Sequence, residues 1–535
     1  MVITPQTEIR LIKCPLEADN LHQIKFSNAT AQYNYFHGLT SLSVDNCTYA
    51  RENGTLRIPV SYDTAIRYNY VMYQNESYSN KWFYAFITNY TYMNNDTTAI
   101  EIKTDVYQTW QFDFTWKQCF IEREHVNNDQ IGLHTIPENL ELGDYVCNGR
   151  IVDQDFSTSL EDLCYVMCST TDSFIDPDSD PNDPKMGATY GGQYNGLYSG
   201  VLYSRFDTGQ GFALIKELFD RCGQGEAIVG LFMAPKFLAQ PTSTLDYRVA
   251  TSTIPDIQHI TVAKSRTLDG YSPVNNKLKC YPYCYLMVSN NNGGSAIYQY
   301  EYFRTAGETV SENCNFAVYS ALCPGCSIRL VPQSYKNLLV NPEEGLNLGK
   351  FPICNWTTDM YTNWMTQNSV NQAISYAASG ASIVGGTVLL ATGGGTLAGA
   401  GMIAGGVAGI SKTMAEQRKA SLVPPQANGN LNAGDVVTAI GLNNFNFYQM
   451  SIKSEFAQII DKYFTLFGYQ VNRVGVPLEH SRSQWNFIKT NGANIEGDDI
   501  PQVAINELKQ MFDNGVTLWH NASNIYNYSL SNNII

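Results

Sequence analysis

Charge is scarce in this sequence. Asp, Glu, Lys and Arg make up 16% of its 535 residues, against roughly 25% in ordinary soluble domains. Cations are the minority, 34 Lys and Arg against 49 Asp and Glu, for a net charge of −15. That balance argues against a high-affinity nucleic-acid binder, which needs clustered cations to displace phosphate counterions. It leaves room for a DNA conduit, because an acidic or neutral lumen offers a passing polyanion no favourable stop.

Chemical motifs are missing too. The seven histidines, His22, His37, His125, His134, His259, His480 and His520, show no HExxH or similar spacing. Cys164 with Cys168 and Cys280 with Cys284 are each four apart and lack the partners that a four-ligand zinc site requires. Cys323, Pro324, Gly325 and Cys326 read CPGC, without the βαβ pattern that accompanies a thioredoxin-like motif. In the acidic stretch from Asp176 to Asp183, Pro181 stands where an EF-hand has its glycine and Gly187 where it has Glu. Gly409 to Thr413 resembles the end of a phosphate loop, but Ser411 replaces the glycine before the lysine. No catalytic residue, metal or cofactor is therefore expected, and the chain is not expected to be an enzyme.

The N-terminus, MVITPQTEIR, has no basic start followed by an apolar run. The 13 scattered cysteines are then read as reduced thiols of a protein made in a cytoplasm. The N-x-[ST] triplets at Asn28, Asn53, Asn89, Asn95 and Asn355 read as chance products of an Asn-rich chain.

Aromatic residues, by contrast, are abundant, 12% of the chain with 35 tyrosines. With Val, Ile and Thr they favour pleated, half-buried surfaces, and the Asn and Gly between them favour turns. A mainly β chain with some α is expected, of two to four packed units, since one core stops growing well below this length. The run Lys81, Trp82, Phe83, Tyr84, Ala85, Phe86 and Ile87 predicts a buried strand. Further strands are expected near Lys279 to Tyr285, through Leu330, at Tyr469 to Val474 and at Thr517 to His520, with a helix from Pro501 to Phe512.

One segment differs from everything around it. Between Asp359 and Lys412 there is no charged residue, and Ala377 to Ile410 consists of Gly, Ala, Ile, Val, Leu, Ser, Thr and one Met. An apolar run of this length reads as a membrane span. Eleven glycines from Gly380 to Gly409 oppose that reading, because at roughly 1 kcal/mol each they disfavour an isolated helix in water. Three readings stay open: a membrane-active segment that packs among copies of itself or enters a bilayer, a Gly/Ala-rich hairpin in an ordinary core, and a permanent anchor with Lys412, Arg418 and Lys419 as its basic flank.

Several aromatic-rich strings stand in order along the chain: YNYF from Tyr33 to Phe36, NKWFYAF from Asn80 to Phe86, DVYQTWQFDF from Asp105 to Phe114, and FIEREHV from Phe120 to Val126. YPYC from Tyr281 to Cys284, PPQ from Pro424 to Gln426, GYQVNRV from Gly468 to Val474 and FDNGVTLWH from Phe512 to His520 continue the order. Together these strings resemble the tail-knob, or distal tube, proteins of small short-tailed phages infecting Gram-positive bacteria. The region from Cys147 to Asp269 shows no such match.

The resemblance implies a virion structural protein at the distal end of the tail, present at the host membrane during entry. Six copies would form a homohexameric tube with other tail proteins and conduct DNA as unspecific cargo. A long apolar loop, here Met360 to Ser411, would plug the channel and then perforate the host membrane. The expected organisation is a multidomain tube-forming body with a long apolar Gly/Ala-rich loop: body at 1–130, an inserted loop-rich domain at 131–269, body at 270–359, the loop at 360–430 and body at 431–535. The residues expected to contact the membrane are Ile383, Val384, Val388, Leu389, Leu390, Leu397, Met402, Ile403, Val407 and Ile410. A tail-tip adhesin or cell-wall-degrading enzyme is the rival class, since exposed aromatics stack on sugars.

Overall fold

The computed structural model describes residues 7–44, 47–50, 54–75, 81–152, 162–169, 193–194, 197–198, 202–208, 228–239, 256–304, 310–323, 325–349, 351, 353–355, 430–432 and 444–535. Strands hold 45% of the residues described and helices 18%, so the fold is mainly β with some α. The chain divides into two compact units. One comprises Met1–Glu141, Val274–Lys277 and Gln458–Ile535, the other Leu142–Pro273 and Leu278–Ala457.

The first unit holds a seven-stranded sheet in the order Ser41–Val44, Thr7–Ile12, Tyr70–Asn75, Trp82–Asn94, Thr97–Thr104, Thr55–Ile58, Thr48–Ala50. Both of its faces are covered. Ile9, Leu11, Val71, Tyr73 and Ala85 pack on one side, whereas Ile12, Tyr70, Met72, Tyr84 and Phe86 pack on the other with Phe36 of the helix Ala29–Gly38. This explains why the NKWFYAF string alternates so loosely, since a strand buried on both faces needs apolar residues at successive positions. The same strand continues to Asn94, and beyond Ile87 it is mostly exposed.

The second sheet of this unit runs His22–Ile24, Val516–Trp519, Trp485–Asn491, Cys119–Glu124, Tyr469–Gly475. The helices Val106–Trp110 and Gln502–Asn514 share a core with it through Tyr107, Trp110, Leu508, Phe512, Ile488 and Leu518. A short excursion of the middle of the chain, Val274–Lys277, is fastened here by carboxylates. Asp461 accepts from the Val274 and Asn275 N–H groups at 2.8 and 3.0 Å, Asp129 accepts from Asn276 N–H at 3.0 Å, and Glu138 pairs with both Lys277 and Arg123.

Among the described residues, the three larger sheets of the second unit share one core. Val166 and Phe232, Leu286, Val288 and Phe447, and Ile260, Phe316 and Leu330 supply its three walls. One wall is Tyr145–Val152, Asn446–Ile452, Cys284–Ser289, Ser295–Tyr298, and another is Asp256–Ala263, Asn313–Ala321, Ser327–Tyr335, Leu338–Val340. The third is described below.

Most elements lie where the sequence places them: Gln502–Asn514 is helical, and Tyr469–Gly475, Val516–Trp519 and Ser327–Tyr335 are strands. The strand expected near Lys279 to Tyr285 begins only at Cys284, after a 3-10 turn at Asn276–Lys279. The Tyr283 and Cys284 N–H groups instead close a turn on the Cys280 carbonyl, at 2.9 and 3.2 Å.

Candidate functional site: the root of the uncharged segment

The third wall of the second unit is a five-stranded antiparallel sheet in the order Leu202–Phe206, Leu163–Ser169, Ile228–Pro235, Ile353–Asn355, Asn430–Asn432. Its last two strands bracket the uncharged segment. Ile353, Cys354 and Asn355 pair on one side with Phe232, Leu231 and Gly230, and on the other with Asn432, Leu431 and Asn430. The chain therefore leaves the sheet at Asn355 and re-enters it at Asn430, directly opposite, where partner Cα atoms in an antiparallel ladder are about 4.5–5.5 Å apart. Whatever path residues 356–429 take, they start and finish at one point on a sheet edge.

Both flanks of this root are fastened to the core. Phe351 is buried, and its N–H donates to the Gly325 carbonyl at 3.0 Å, while Leu348 N–H donates to the Ile328 carbonyl at 2.9 Å. On the returning side Phe445 and Phe447 are buried on either side of Asn446. The Asn446 amide donates to Asn291 Oδ1 at 2.6 Å, and Arg150 donates to Asn446 Oδ1 at 2.8 Å. A buried amide satisfied in this way resists displacement, because freeing it would leave unpaired polar atoms in an apolar setting.

Thiols line the core side of this sheet. Cys164 and Cys168, on the strand Leu163–Ser169, belong to the core of the unit together with Cys326. Burial pushes the Cys164 thiol up to about 12 and raises Cys168 and Cys326 as well, so in the reduced protein all three are protonated and pack as apolar groups. Cys164 and Cys168 are four apart on an extended strand, about 13 Å at 3.3 Å per residue, too far to ligate one ion. Among the described residues no group of three or more His, Cys, Asp or Glu is placed to hold a metal. Cys323, Gly325 and Cys326 lie between the paired strands Asn313–Ala321 and Ser327–Tyr335 of a β-hairpin, and not at a strand-to-helix junction.

The ten residues expected to contact a membrane, Ile383, Val384, Val388, Leu389, Leu390, Leu397, Met402, Ile403, Val407 and Ile410, lie outside the described residues. So do the acidic stretch from Asp176 to Asp183 and the basic flank at Lys412, Arg418 and Lys419. Among the described residues no helix is long and apolar enough to cross a membrane.

The strings behind the family resemblance prove to be architectural. Tyr33, Tyr35 and Phe36 of YNYF sit on the helix Ala29–Gly38, against Trp82, Phe26 and Tyr70. Asp105 of DVYQTWQFDF caps the helix Val106–Trp110 by accepting from the Gln108 N–H at 3.1 Å. FDNGVTLWH spans the end of the helix Gln502–Asn514, the turn at Gly515 and the strand Val516–Trp519. Sequence reading did not find the root itself. Two three-residue strands, separated by the whole uncharged segment, carry no periodicity that would pair them.

Comparison with known proteins agrees with this architecture. Residues 247–533 match the family model described as Bacillus phage phi29, Tail knob protein gp9, C-terminal domain, and residues 5–115 match Caudoviral major tail protein N-terminus. The tail knob protein gp9 of Bacillus phage PZA is 25% identical over 99% of this chain and 98% of its own length. The gp9 proteins of Bacillus phages phi29 and B103 are 24% and 25% identical with the same coverage. The solved structure of the bacteriophage C1 tail knob protein, gp12, superposes with a TM-score of 0.64 over 99% of this chain and all of its own, at 13% identity, a likeness of fold.

Proposed function

This chain belongs to the phage tail knob family and is a structural component of a virion tail, and from that premise we propose that it forms the distal tube through which DNA leaves and carries its own membrane-penetrating loop. Copies of the chain, six on the family resemblance, assemble with other tail proteins around a channel. The acidic balance of the chain suits passage of DNA without sticking. Before infection the uncharged segments of neighbouring copies occupy the channel and shield each other's apolar surface, at roughly 25 cal/mol per Å². At the host membrane the bilayer offers a second apolar environment, and the segments leave the channel for it when burial in lipid exceeds what the lumen provides. Such a transfer is a population shift that requires no catalysis.

The observation that carries this reading is the root. A segment whose two ends are hydrogen-bonded partners on a sheet edge leaves and returns as a unit, so it can change surroundings without disturbing the body to which it is tied. Its dimensions suit a bilayer. Residues 377–410 folded back on themselves would give two arms of about 17 residues, or ~25 Å each if helical, against a hydrocarbon core of about 30 Å.

The reading is tested by the variant carrying Leu389→Asp and Leu390→Asp. Charges at the centre of a helix in a bilayer cost about 2.5–3.5 kcal/mol apiece on insertion scales, so dye release from liposomes should fall steeply while the particle assembles as before. Leakage at the wild-type rate would refute penetration by this segment.

A further inference from the structure

Cys323 and Cys326 flank a Pro-Gly pair in the loop of a hairpin. The Cys326 N–H donates to the Cys323 carbonyl at 2.7 Å, and Gly325 has φ +85. That hydrogen bond closes a β-turn, with glycine at the third position where a type II turn requires a positive φ. Such a turn holds its first and last Cα atoms within 7 Å, and disulfides span Cα separations of about 4.4–6.8 Å. Both side chains are buried. Cys323 Sγ lies 3.4 Å from Ser327 Oγ, and Cys326 Sγ donates to the Met233 carbonyl at 3.6 Å. The turn thus holds the two cysteines within the Cα span of a disulfide.

The location matters as much as the spacing. Gly325, inside this turn, supplies the carbonyl that holds Phe351, and the first strand of the root begins two residues later at Ile353. Stiffening the turn stiffens the tether of the uncharged segment.

We propose that Cys323 and Cys326 form a dithiol–disulfide couple, reduced in the cytoplasm where the protein is made and closed to an intra-turn disulfide in the oxidising medium outside the cell. The oxidant is a small-molecule disulfide. One protein thiolate attacks a sulfur of the reagent and expels half of it as a thiol. The second protein thiolate then attacks the mixed disulfide and expels the other half. The two protein thiols are oxidised to one S–S bond, the reagent S–S bond is reduced, and the two protons end on the two small thiols. Burial raises the Cys326 thiol well above its ordinary value, so thiolate is scarce and closure is slow, in keeping with a change made once after release from the cell. The couple stands whether or not the uncharged segment enters a membrane.

The test uses the full-length protein in glutathione buffers running from fully reduced to fully oxidised. Each buffer is approached both from folded reduced protein and from protein refolded out of urea, so that slow access is separated from an unfavourable equilibrium. After acid quenching and denaturation, remaining thiols are alkylated and the peptides weighed. The peptide holding Cys323 and Cys326 should lose two hydrogens and escape alkylation in buffers that leave Cys14 and Cys119 alkylated. The Cys323→Ser and Cys326→Ser variants should each show full alkylation of the surviving partner. Alkylation of both cysteines across the whole range from both starting points, or capture of Cys323 in a bridge to Cys168, would overturn the assignment.

Discussion

At the scale of residues, buried ionisable groups in the first unit create a pH response of definite sign. His125 accepts the Phe487 N–H on Nδ1 at 2.7 Å and lies 3.1 Å from the Thr465 carbonyl through Nε2, a pairing that only the neutral ring protonated on Nε2 satisfies. Burial, reinforced by the nearby Arg482 guanidinium, pushes its pKa down to about 3, and burial does the same to His520, also to about 3. Unfolded histidine titrates near 6.5, so the unfolded chain takes up protons first, and stability falls as pH drops from about 6.5 toward 3. Asp105 works in the opposite direction. Burial lifts its carboxyl from 3.8 to about 6, so its share of stability is present at low pH and is lost as pH rises through about 6. Two histidines outweigh one aspartate, and the urea midpoint should decline between pH 7 and pH 4. His125→Gln should cost about 1–3 kcal/mol at pH 7, the usual toll of leaving a buried partner unsatisfied, and should flatten the decline. A variant with the wild-type slope would show that His125 is not a source of it. None of this was legible in the sequence, where seven scattered histidines show only that no familiar metal spacing exists. Burial is a property of the folded neighbourhood, and spacing along the chain does not report it.

At the scale of elements, two corners turn a helix into a strand of the same sheet, and both turn on glycine. Gly468 ends the helix Ser454–Phe467 at φ +64 and donates its N–H to the Phe464 carbonyl at 2.8 Å, the left-handed helix end for which glycine is suited. A Cβ there would stand 2.2 Å from the Glu124 carbonyl oxygen, a backbone atom with nowhere to retreat. At Gly515, φ +96 after the helix Gln502–Asn514, an added Cβ would stand 2.8 Å from the Phe487 ring. Gly468→Ala should therefore destabilise the protein by roughly 1–3 kcal/mol or more, read as a lowered urea midpoint. A midpoint within experimental error of wild type would contradict the close approach. Elements of this kind were largely readable in advance. The amphipathic run from Pro501 to Phe512 and the apolar string from Lys81 to Ile87 carry their own periodicity or composition, and the structure forms a helix and a strand there. The stretch from Lys279 to Tyr285 misled because YPYC has the composition of a strand, whereas its backbone closes a turn on Cys280 before the strand starts. The root was invisible for a related reason: Asn355 and Asn430 meet only through the sheet edge to which both belong.

At the scale of the molecule, the mainly β fold and the tail knob family were both within reach of the sequence. Aromatic strings such as NKWFYAF and DVYQTWQFDF are long because they fill a sheet buried on both faces and the helix that follows it. The uncharged segment announced itself by composition alone, while its anchorage needed the fold. The proposed mechanism divides the chain into a body that persists and a segment that moves, and the two can be separated experimentally. Dye release from liposomes should be measured for the purified full-length protein beside a deletion of Met360 to Ser411, with the assembly of both followed by light scattering. A penetrating segment predicts leakage from the full-length protein that disappears on deletion while assembly is unchanged. Equal leakage from the two proteins, or none from either, would contradict it.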